Sequence, residues 1–271
     1  MSSDTPDPGR ITVEVRDHIV LLGLDRPAKR NGLTPEMHDE LLDALTRLDE
    51  DPDLWVGVLH AHGDHFTAGL DLPRWTERMA GGPTDDAGGG SGRGPSRVDM
   101  AGLVRPCRKP IVTAVKGITF TAGIELMLGG DIVVAADDCR FSQLEPKRGI
   151  HATGGATIRF VQRGGWGNAM YHLLTSDEFD AVEAHRIGLV QEVVPAGTEL
   201  ERALELAATI CEGAPLAVQA TKASSRRYLD EGMAAAVAAF GPTQAELMAT
   251  DDATEGVASF VERRPARFTG R

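Results

Sequence analysis

Strand-type and helix-type segments alternate through the first half of the chain, and almost only helix-type segments follow. Runs rich in Val, Ile and Leu predict β-strands at 11–15, 19–24, 54–60, 111–115 and 132–136. Helical patterns occupy a stretch after Thr34-Pro35-Glu36, which supplies an N-cap and a proline at the first helical position, and the ranges 122–129, 178–188, 199–212, 216–230 and 233–250. This order predicts an α/β body followed by a C-terminal helical region.

Charge and cysteine content narrow the functional classes. The 271 residues carry a formal net charge of −12, which disfavours a nucleic-acid or anionic-membrane binder. Three scattered cysteines form no CxxC pair, and no apolar run approaches the length of a membrane span. A cytoplasmic location is therefore expected. An anionic small ligand stays compatible with three local basic clusters: Arg26, Lys29 and Arg30; Arg105, Arg108 and Lys109; Arg263, Arg264 and Arg267.

Two segments have compositions that cannot build a core. Residues 1–10 are polar, contain Pro6 and Pro8, lack the pattern of a signal peptide, and predict a disordered tail. Residues 81–96 read GGPTDDAGGGSGRGPS and predict a mobile loop. Because no strand precedes this loop and no Lys-Ser/Thr pair follows it, we do not interpret it as a phosphate-binding loop.

Small residues occur at two predicted strand-to-helix turns, HFTAGLD at 65–71 and TAGIE at 121–125. Such turns let a ligand approach the backbone, and two converging N–H groups would form an oxyanion hole. The same pattern also fits plain connections between elements.

Two acids lie in apolar surroundings. Glu125 is just inside a predicted helix, and Glu145 follows twenty residues later. Acids of this kind suit acid–base chemistry, although a helix-dipole acid and a surface acid fit the pattern too. His60, His62 and His65 lack companion ligands at a supporting spacing, so no metal site is expected.

Five blocks in collinear order resemble the crotonase (enoyl-CoA hydratase/isomerase) superfamily. Residues 61–71 (AHGDHFTAGLD) resemble its G-x-x-F-x-A-G-x-D motif. Further matches are 109–117 with 122–126 and 131–132, then 141–145 (FSQLE), 180–190 (DAVEAHRIGLV) and 260–264 (FVERR). The likeness runs from about residue 13 to 268. Departures from the family pattern lie at 121–123, at Leu144 and at 150–155.

The resemblance implies an α/β fold, a crotonase-type spiral of ββα units with a C-terminal helical trimerisation region. The expected organisation is an acyl-CoA-binding core at 11–195 and an oligomerisation region at 196–271. Members of the family are usually homotrimers or dimers of trimers.

The resemblance also implies site residues. Glu125 and Glu145 match the family's two catalytic glutamates, and the backbone N–H groups of Ala68 and Ala122 match its oxyanion hole. Coenzyme A (CoA) contacts are expected from Lys29, Arg30, Ala68, Asp71 and Arg263, the last in a neighbouring subunit. Acyl-pocket residues are expected to include Trp75, Met79, Ile150 and Phe260.

The two matching glutamates favour an enoyl-CoA hydratase, which adds water to a carbon–carbon double bond or catalyses the reverse dehydration. No cofactor is expected beyond the CoA of the substrate. Alternatives are an enoyl-CoA isomerase, a decarboxylase or thioester hydrolase of the same superfamily, and a non-catalytic acyl-CoA-binding protein. A structural or RNA-associated relative is disfavoured by the acidic charge balance.

Overall fold

The computed structural model describes residues 7–80 and 97–271, without the side chains of 77–80. The predicted mobile loop at 81–96 lies outside the described residues. The strands are β1 (Arg10–Arg16), β2 (Ile19–Asp25), β3 (Val56–Ala61), β4 (Ile111–Val115), β5 (Ile118–Phe120), β6 (Ile132–Ala136), β7 (Arg140–Ser142), β8 (Phe179–Asp180) and β9 (Glu192–Val194). The helices are α1 (Pro35–Glu50), α2 (Leu72–Ala80), α3 (Ala122–Gly129), α4 (Ala156–Thr175), α5 (Ala181–Arg186), α6 (Glu199–Cys211), α7 (Pro215–Glu231), α8 (Met233–Met248) and α9 (Asp251–Glu262).

Two sheets organise the body. The larger has the order β1-β2-β3-β4-β6-β9 and is parallel except for the β1–β2 hairpin. The smaller has the order β5-β7-β8. β3 and β4 are buried along their whole length, as expected of parallel strands covered on both faces. The segment that leaves β3 meets β5 of the smaller sheet through a parallel bridge between Thr67 and Thr119.

Successive residues of the central strands pack into two hydrophobic clusters on opposite faces. Val58 and Val112 pack with Ala203 and Ala207 of α6, whereas Leu59 and Val115 pack on the side of α1. The α1 helix begins as predicted, because the Thr34 hydroxyl accepts a hydrogen bond from the Met37 N–H at 3.1 Å.

The structure corrects the predicted N-terminal tail in the part that it describes. The Thr34 hydroxyl donates to the Pro8 carbonyl and the Arg26 guanidinium to the Asp7 carbonyl, both at 2.9 Å, and β1 begins at Arg10. These long-range bonds hold residues 7–10 against the body.

Some helices also differ from the prediction. Residues 178–188 begin with the short strand β8 and only then form α5. The sequence analysis missed α4, whose Gly164, Gly165 and Gly167 interrupt a helical pattern, and Gly165 indeed breaks the helix with φ +73°. It also did not assign α9.

The C-terminal boundary shifts because α6 belongs to the body. Although we placed it in the oligomerisation region, α6 covers one face of the large sheet. From α7 onward, apolar side chains are exposed, among them Met233, Val237, Phe240, Phe260 and Val261. The described residues include no helix that is long and apolar enough to cross a membrane.

Candidate active site

The loop after β3 is held between two backbone partners. On one side the Thr67 N–H donates to the Ile118 carbonyl at 3.1 Å. On the other side Leu33 forms a parallel bridge: its N–H donates to the Gly69 carbonyl, and its carbonyl accepts from the Asp71 N–H, both at 2.9 Å. This loop is therefore fixed by its main chain.

The structure corrects the assignment of the first oxyanion donor. The Ala68 N–H already donates to the Arg30 carbonyl at 2.9 Å. In the parallel bridge, Gly69 and Asp71 make the bonds to Leu33, so the main-chain groups of Leu70 point to the opposite side. The Leu70 N–H makes no hydrogen bond to any described residue, and Leu70 lines a cavity on that side.

The second predicted donor, Ala122, lies at the start of α3. Ala122 is the first residue of this helix, where N–H groups have no intrahelical acceptor, and its N–H makes no hydrogen bond within the described chain. Gly69, with φ +102°, lets the two segments touch, since a Cβ there would lie 2.0 Å from the Thr121 hydroxyl. Leu70 and Ala122 therefore share one cavity.

This cavity has a volume of about 230 Å³ and contains both predicted catalytic acids. Its lining consists of Ala68, Leu70, Leu72, Thr121, Ala122, Glu125, Leu144, Glu145, Arg148, Ile150, His151, Ala152 and Thr153. A larger cavity, of about 640 Å³, lies between α4 and α7, but its Asp131 pairs with Lys222 at 2.6 Å and it holds neither glutamate. The smaller cavity is the candidate active site.

Glu125 is buried on α3 with a partly satisfied carboxylate. Its Oε1 accepts a hydrogen bond from the Ala156 N–H at 3.2 Å. Burial raises the pKa of Glu125, the nearby Glu145 raises it further, and the hydrogen bonds from Ala156 and Gly154 oppose the rise. The approach of Gly154 needs a glycine, because a Cβ would lie 2.5 Å from Oε2 of Glu125.

Glu145 is buried with fewer partners. It begins a 3-10 turn, Glu145–Arg148, and its Oε2 has no hydrogen-bond partner among the described residues. Burial is the main reason that the pKa of Glu145 lies above its ordinary value. The two acids thus share a cavity but differ in their hydrogen bonding.

Two other predicted site residues, Asp71 and Trp75, interact with residues outside the cavity lining. The Asp71 carboxylate pairs with the buried Arg26 guanidinium at 2.7 Å. Trp75 is not among the described residues that line the cavity. Its indole N–H donates to the Leu33 carbonyl at 2.8 Å, and its ring packs edge-on against His38. We therefore correct its assignment to the acyl pocket.

The remaining predicted residues divide by location. Ile150 lines the cavity, and Lys29 and Arg30 are exposed on the turn that holds Ala68. Phe260 is 85% exposed and, like Arg263, lies at the end of α9 outside the cavity lining of its own chain. The side chain of Met79 is outside the described residues.

Sequence analysis missed several lining residues. Leu70 and Leu72 lie within or beside the first motif, and Leu144, Arg148, His151 and Thr153 flank the second acid. Gly149 could have indicated that the residues flanking Glu145 line the cavity. It has φ +73°, and a left-handed glycine after a short turn brings the following chain back toward Glu145.

The three histidines near the first motif have structural partners. The His62 ring bonds the Thr12 hydroxyl at 2.9 Å, and the His65 Nδ1 accepts from the Ile118 N–H at 3.2 Å. Burial lowers the pKa of His60 to about 4. Within residues 7–80 and 97–271, no group of three or more His, Cys, Asp or Glu side chains could hold a metal ion.

Comparison with known proteins agrees with the fold. The sequence model of the enoyl-CoA hydratase/isomerase family matches residues 14–271. The chain therefore belongs to this family, the crotonase superfamily.

Individual relatives cover nearly the whole chain. Enoyl-CoA hydratase EchA19 of Mycobacterium tuberculosis is 37% identical over 96% of each chain. The 2,3-dehydroadipyl-CoA hydratase of Escherichia coli is 31% identical over 96% of this chain and 99% of its own. A probable enoyl-CoA hydratase/isomerase from Mycobacterium abscessus superposes with a TM-score of 0.90 at 44% identity, over 96% of this chain and 98% of the other.

Proposed function

We propose that this chain is an enoyl-CoA hydratase, a hydro-lyase that adds water across the 2,3 double bond of an acyl-CoA thioester or removes it in reverse. One observation carries the proposal: two buried carboxylic acids line the same cavity as two main-chain N–H groups that have no hydrogen-bond partner among the described residues. The family and the named hydratase relatives support the same reaction class.

The oxyanion hole consists of the Leu70 and Ala122 N–H groups. The thioester carbonyl accepts from both, and negative charge collects on its oxygen as the enolate forms. Donors that are already fixed stabilise this charge without reorganising during the reaction. Leu70 replaces Ala68 in this role because the Ala68 N–H is bonded to Arg30.

The two acids have different roles. Glu125 is the base, since hydrogen bonds from the Ala156 and Gly154 N–H groups oppose the rise of its pKa that burial causes. It takes a proton from water while the water oxygen bonds to the β-carbon. Glu145 is the acid, since burial without a partner for Oε2 favours its neutral form, and it gives its proton to the α-carbon. Substrate and water account for all added atoms, and the enzyme is restored when the proton on Glu125 leaves to solvent and Glu145 takes one up.

Binding of CoA uses basic side chains at the edge of the site. Lys29 and Arg30 are exposed beside Ala68 and suit the phosphates of the nucleotide. The exposed apolar side chains of α8 and α9 are covered by other subunits in a homotrimer or dimer of trimers. Arg263 and Phe260 then contribute to the CoA and acyl sites of a neighbouring subunit. The expected location is the cytoplasm.

Turnover of a panel of 2-enoyl-CoA thioesters, with identification of the products, tests the function. A 3-hydroxyacyl-CoA product supports hydration. A shifted double bond identifies an isomerase, and free CoA identifies a thioester hydrolase. Tight CoA binding without turnover of any thioester would leave a binding protein and overturn the proposal.

A further inference from the structure

One wall of the cavity is a single stretch of chain. Residues 144–153 contribute seven of its lining residues: Leu144, Glu145, Arg148, Ile150, His151, Ala152 and Thr153. The stretch folds back on itself, because Gly149 is left-handed and the Ile150 N–H donates to the Glu145 carbonyl at 3.2 Å. Arg148 therefore has a fixed place, one short turn from the acid Glu145.

Two neighbouring cations in this stretch are used differently. The Lys147 ammonium group donates to the Ser176 carbonyl at 2.7 Å and so ties the turn to the end of α4. Arg148 is exposed, lines the cavity, and makes no hydrogen bond or ion pair with any described residue. Its five N–H donors are thus left for a ligand or for solvent.

The catalytic acids do not use this guanidinium. Burial raises the pKa of Glu145, and Arg148 does not offset the rise. Arg148 and His151 are the basic side chains in the described lining of the cavity. A guanidinium on the wall of an otherwise mostly apolar cavity pairs best with a carboxylate, which it binds through two parallel hydrogen bonds.

The location of Arg148 indicates which part of the substrate lies next to it. Given the proposed function, the thioester carbonyl lies at Leu70 and Ala122, and the double bond lies between Glu125 and Glu145. Lys29 and Arg30 lie on the turn that binds the Ala68 N–H and are outside the cavity lining, whereas Arg148 is part of the lining together with both acids. Arg148 is therefore the arginine that meets the acyl part of the substrate inside the cavity.

We propose that Arg148 is a specificity-determining residue that selects acyl-CoA thioesters whose acyl chain ends in a carboxylate. This inference rests on the proposed function and narrows its substrate class. A phosphate group of CoA is the other anion that the same guanidinium can bind, and the experiment separates the two sources.

The test compares two six-carbon 2-enoyl-CoA substrates, one ending in a carboxylate and one in a methyl group. The wild type is expected to prefer the carboxylate by about tenfold or more in kcat/KM, and Arg148→Met to abolish that preference. Arg148→Lys should keep part of it, because the charge remains without the planar fork. Arg227→Met, an equal charge change on the exposed face of α7, is the matched control and should keep the full preference.

Two results would overturn the inference. One is a wild type that does not distinguish the substrates. The other is an Arg148→Met variant that loses kcat/KM equally on both and also binds CoA more weakly, which assigns the guanidinium to a phosphate. If the wild type hydrates neither substrate, the proposed function fails. Calorimetric binding of the two matching saturated thioesters to wild type and Arg148→Met then still decides the role of Arg148.

Discussion

The two walls of the candidate active-site cavity present different chemical groups, main-chain N–H groups on one wall and ionisable side chains on the other. The backbone wall, residues 68–72 with 121–122, offers main-chain N–H groups that are oriented by hydrogen bonds to Leu33 and by the contact of Gly69 with Thr121. The side-chain wall, residues 144–153, offers Glu145, Arg148 and His151 on a short turned segment. Under the proposed function, the backbone wall stabilises the enolate of any acyl-CoA, whereas the side-chain wall supplies the acid Glu145 and the proposed specificity residue Arg148. Enolate stabilisation therefore depends on one wall, whereas proton transfer to the α-carbon and substrate choice depend on the other.

Removing either acid should have the largest effect. Glu125→Gln and Glu145→Gln are each expected to lower kcat by about 10²–10⁴-fold, because each deletes a proton-transfer group. Steady-state kinetics would measure this, with CoA affinity as the control for an intact site. Near-normal turnover in both variants would contradict hydration.

The backbone wall can be tested by deleting single N–H groups. Replacing residue 70 or 122 by its α-hydroxy acid turns the amide into an ester, and each change should lower kcat by about 10²–10³-fold. The same replacement at residue 68 removes the bond to the Arg30 carbonyl and should mainly cost stability, about 1 kcal/mol. A larger loss of kcat at 68 than at 70 would restore Ala68 as the donor.

Gly154 joins the side-chain wall to Glu125, and its substitution should have an intermediate effect. In Gly154→Ala the new Cβ would lie 2.5 Å from Oε2 of Glu125, so the carboxylate must move. We expect kcat to fall by about tenfold to a hundredfold, since small displacements of catalytic groups are costly. Gly167→Ala, where a Cβ meets nothing within 4 Å, is the matched control. Equal activity of the two variants would show that Glu125 tolerates the shift.

The buried acid of the side-chain wall should reduce stability at high pH. The pKa of Glu145 is raised in the folded state, so its protonated form is favoured there and stability is lost as pH rises through the folded pKa. Glu145→Gln should therefore unfold with a higher free energy at pH 8 than the wild type, by on the order of 1 kcal/mol. This gain should shrink toward pH 4. Urea unfolding at one fixed protein concentration measures this gain in unfolding free energy. A gain that is independent of pH would show that it does not arise from the raised pKa of Glu145.

The smallest effect is expected at the edge of the backbone wall, where Lys29 and Arg30 are exposed. Their contacts with CoA phosphates should be screened by salt, weakening CoA binding severalfold between about 0.01 and 0.15 M ionic strength. Lys29→Gln combined with Arg30→Asn should flatten that dependence, and asparagine suits the left-handed backbone at position 30. CoA affinity that ignores both salt and these substitutions would move the phosphate site elsewhere.

The sequence alone was sufficient for the parts of this protein that depend on local pattern. The strands at 111–115 and 132–136, the helix at 122–129 and the cap at Thr34 follow from propensity and side-chain periodicity, and all are present in the structure. The prediction of the two glutamates and of the family follows from motifs that are contiguous in the chain. The family match over 14–271 confirms the family, and the roles of the glutamates stay predictions.

Tertiary structure alone decided which main-chain and side-chain groups are free to act. Ala68 and Leu70 lie in one turn and look alike as sequence, but the Arg30 carbonyl takes the N–H of the first, and the bridge to Leu33 turns that of the second toward the cavity. Lys147 and Arg148 are likewise adjacent cations. The hydrogen bond from the Lys147 ammonium group to the Ser176 carbonyl, at the far end of α4, distinguishes them. Each of these hydrogen bonds occupies one polar group and orients the residues next to it. The acceptors belong to segments that are distant in the chain from the donors. No local pattern contains them.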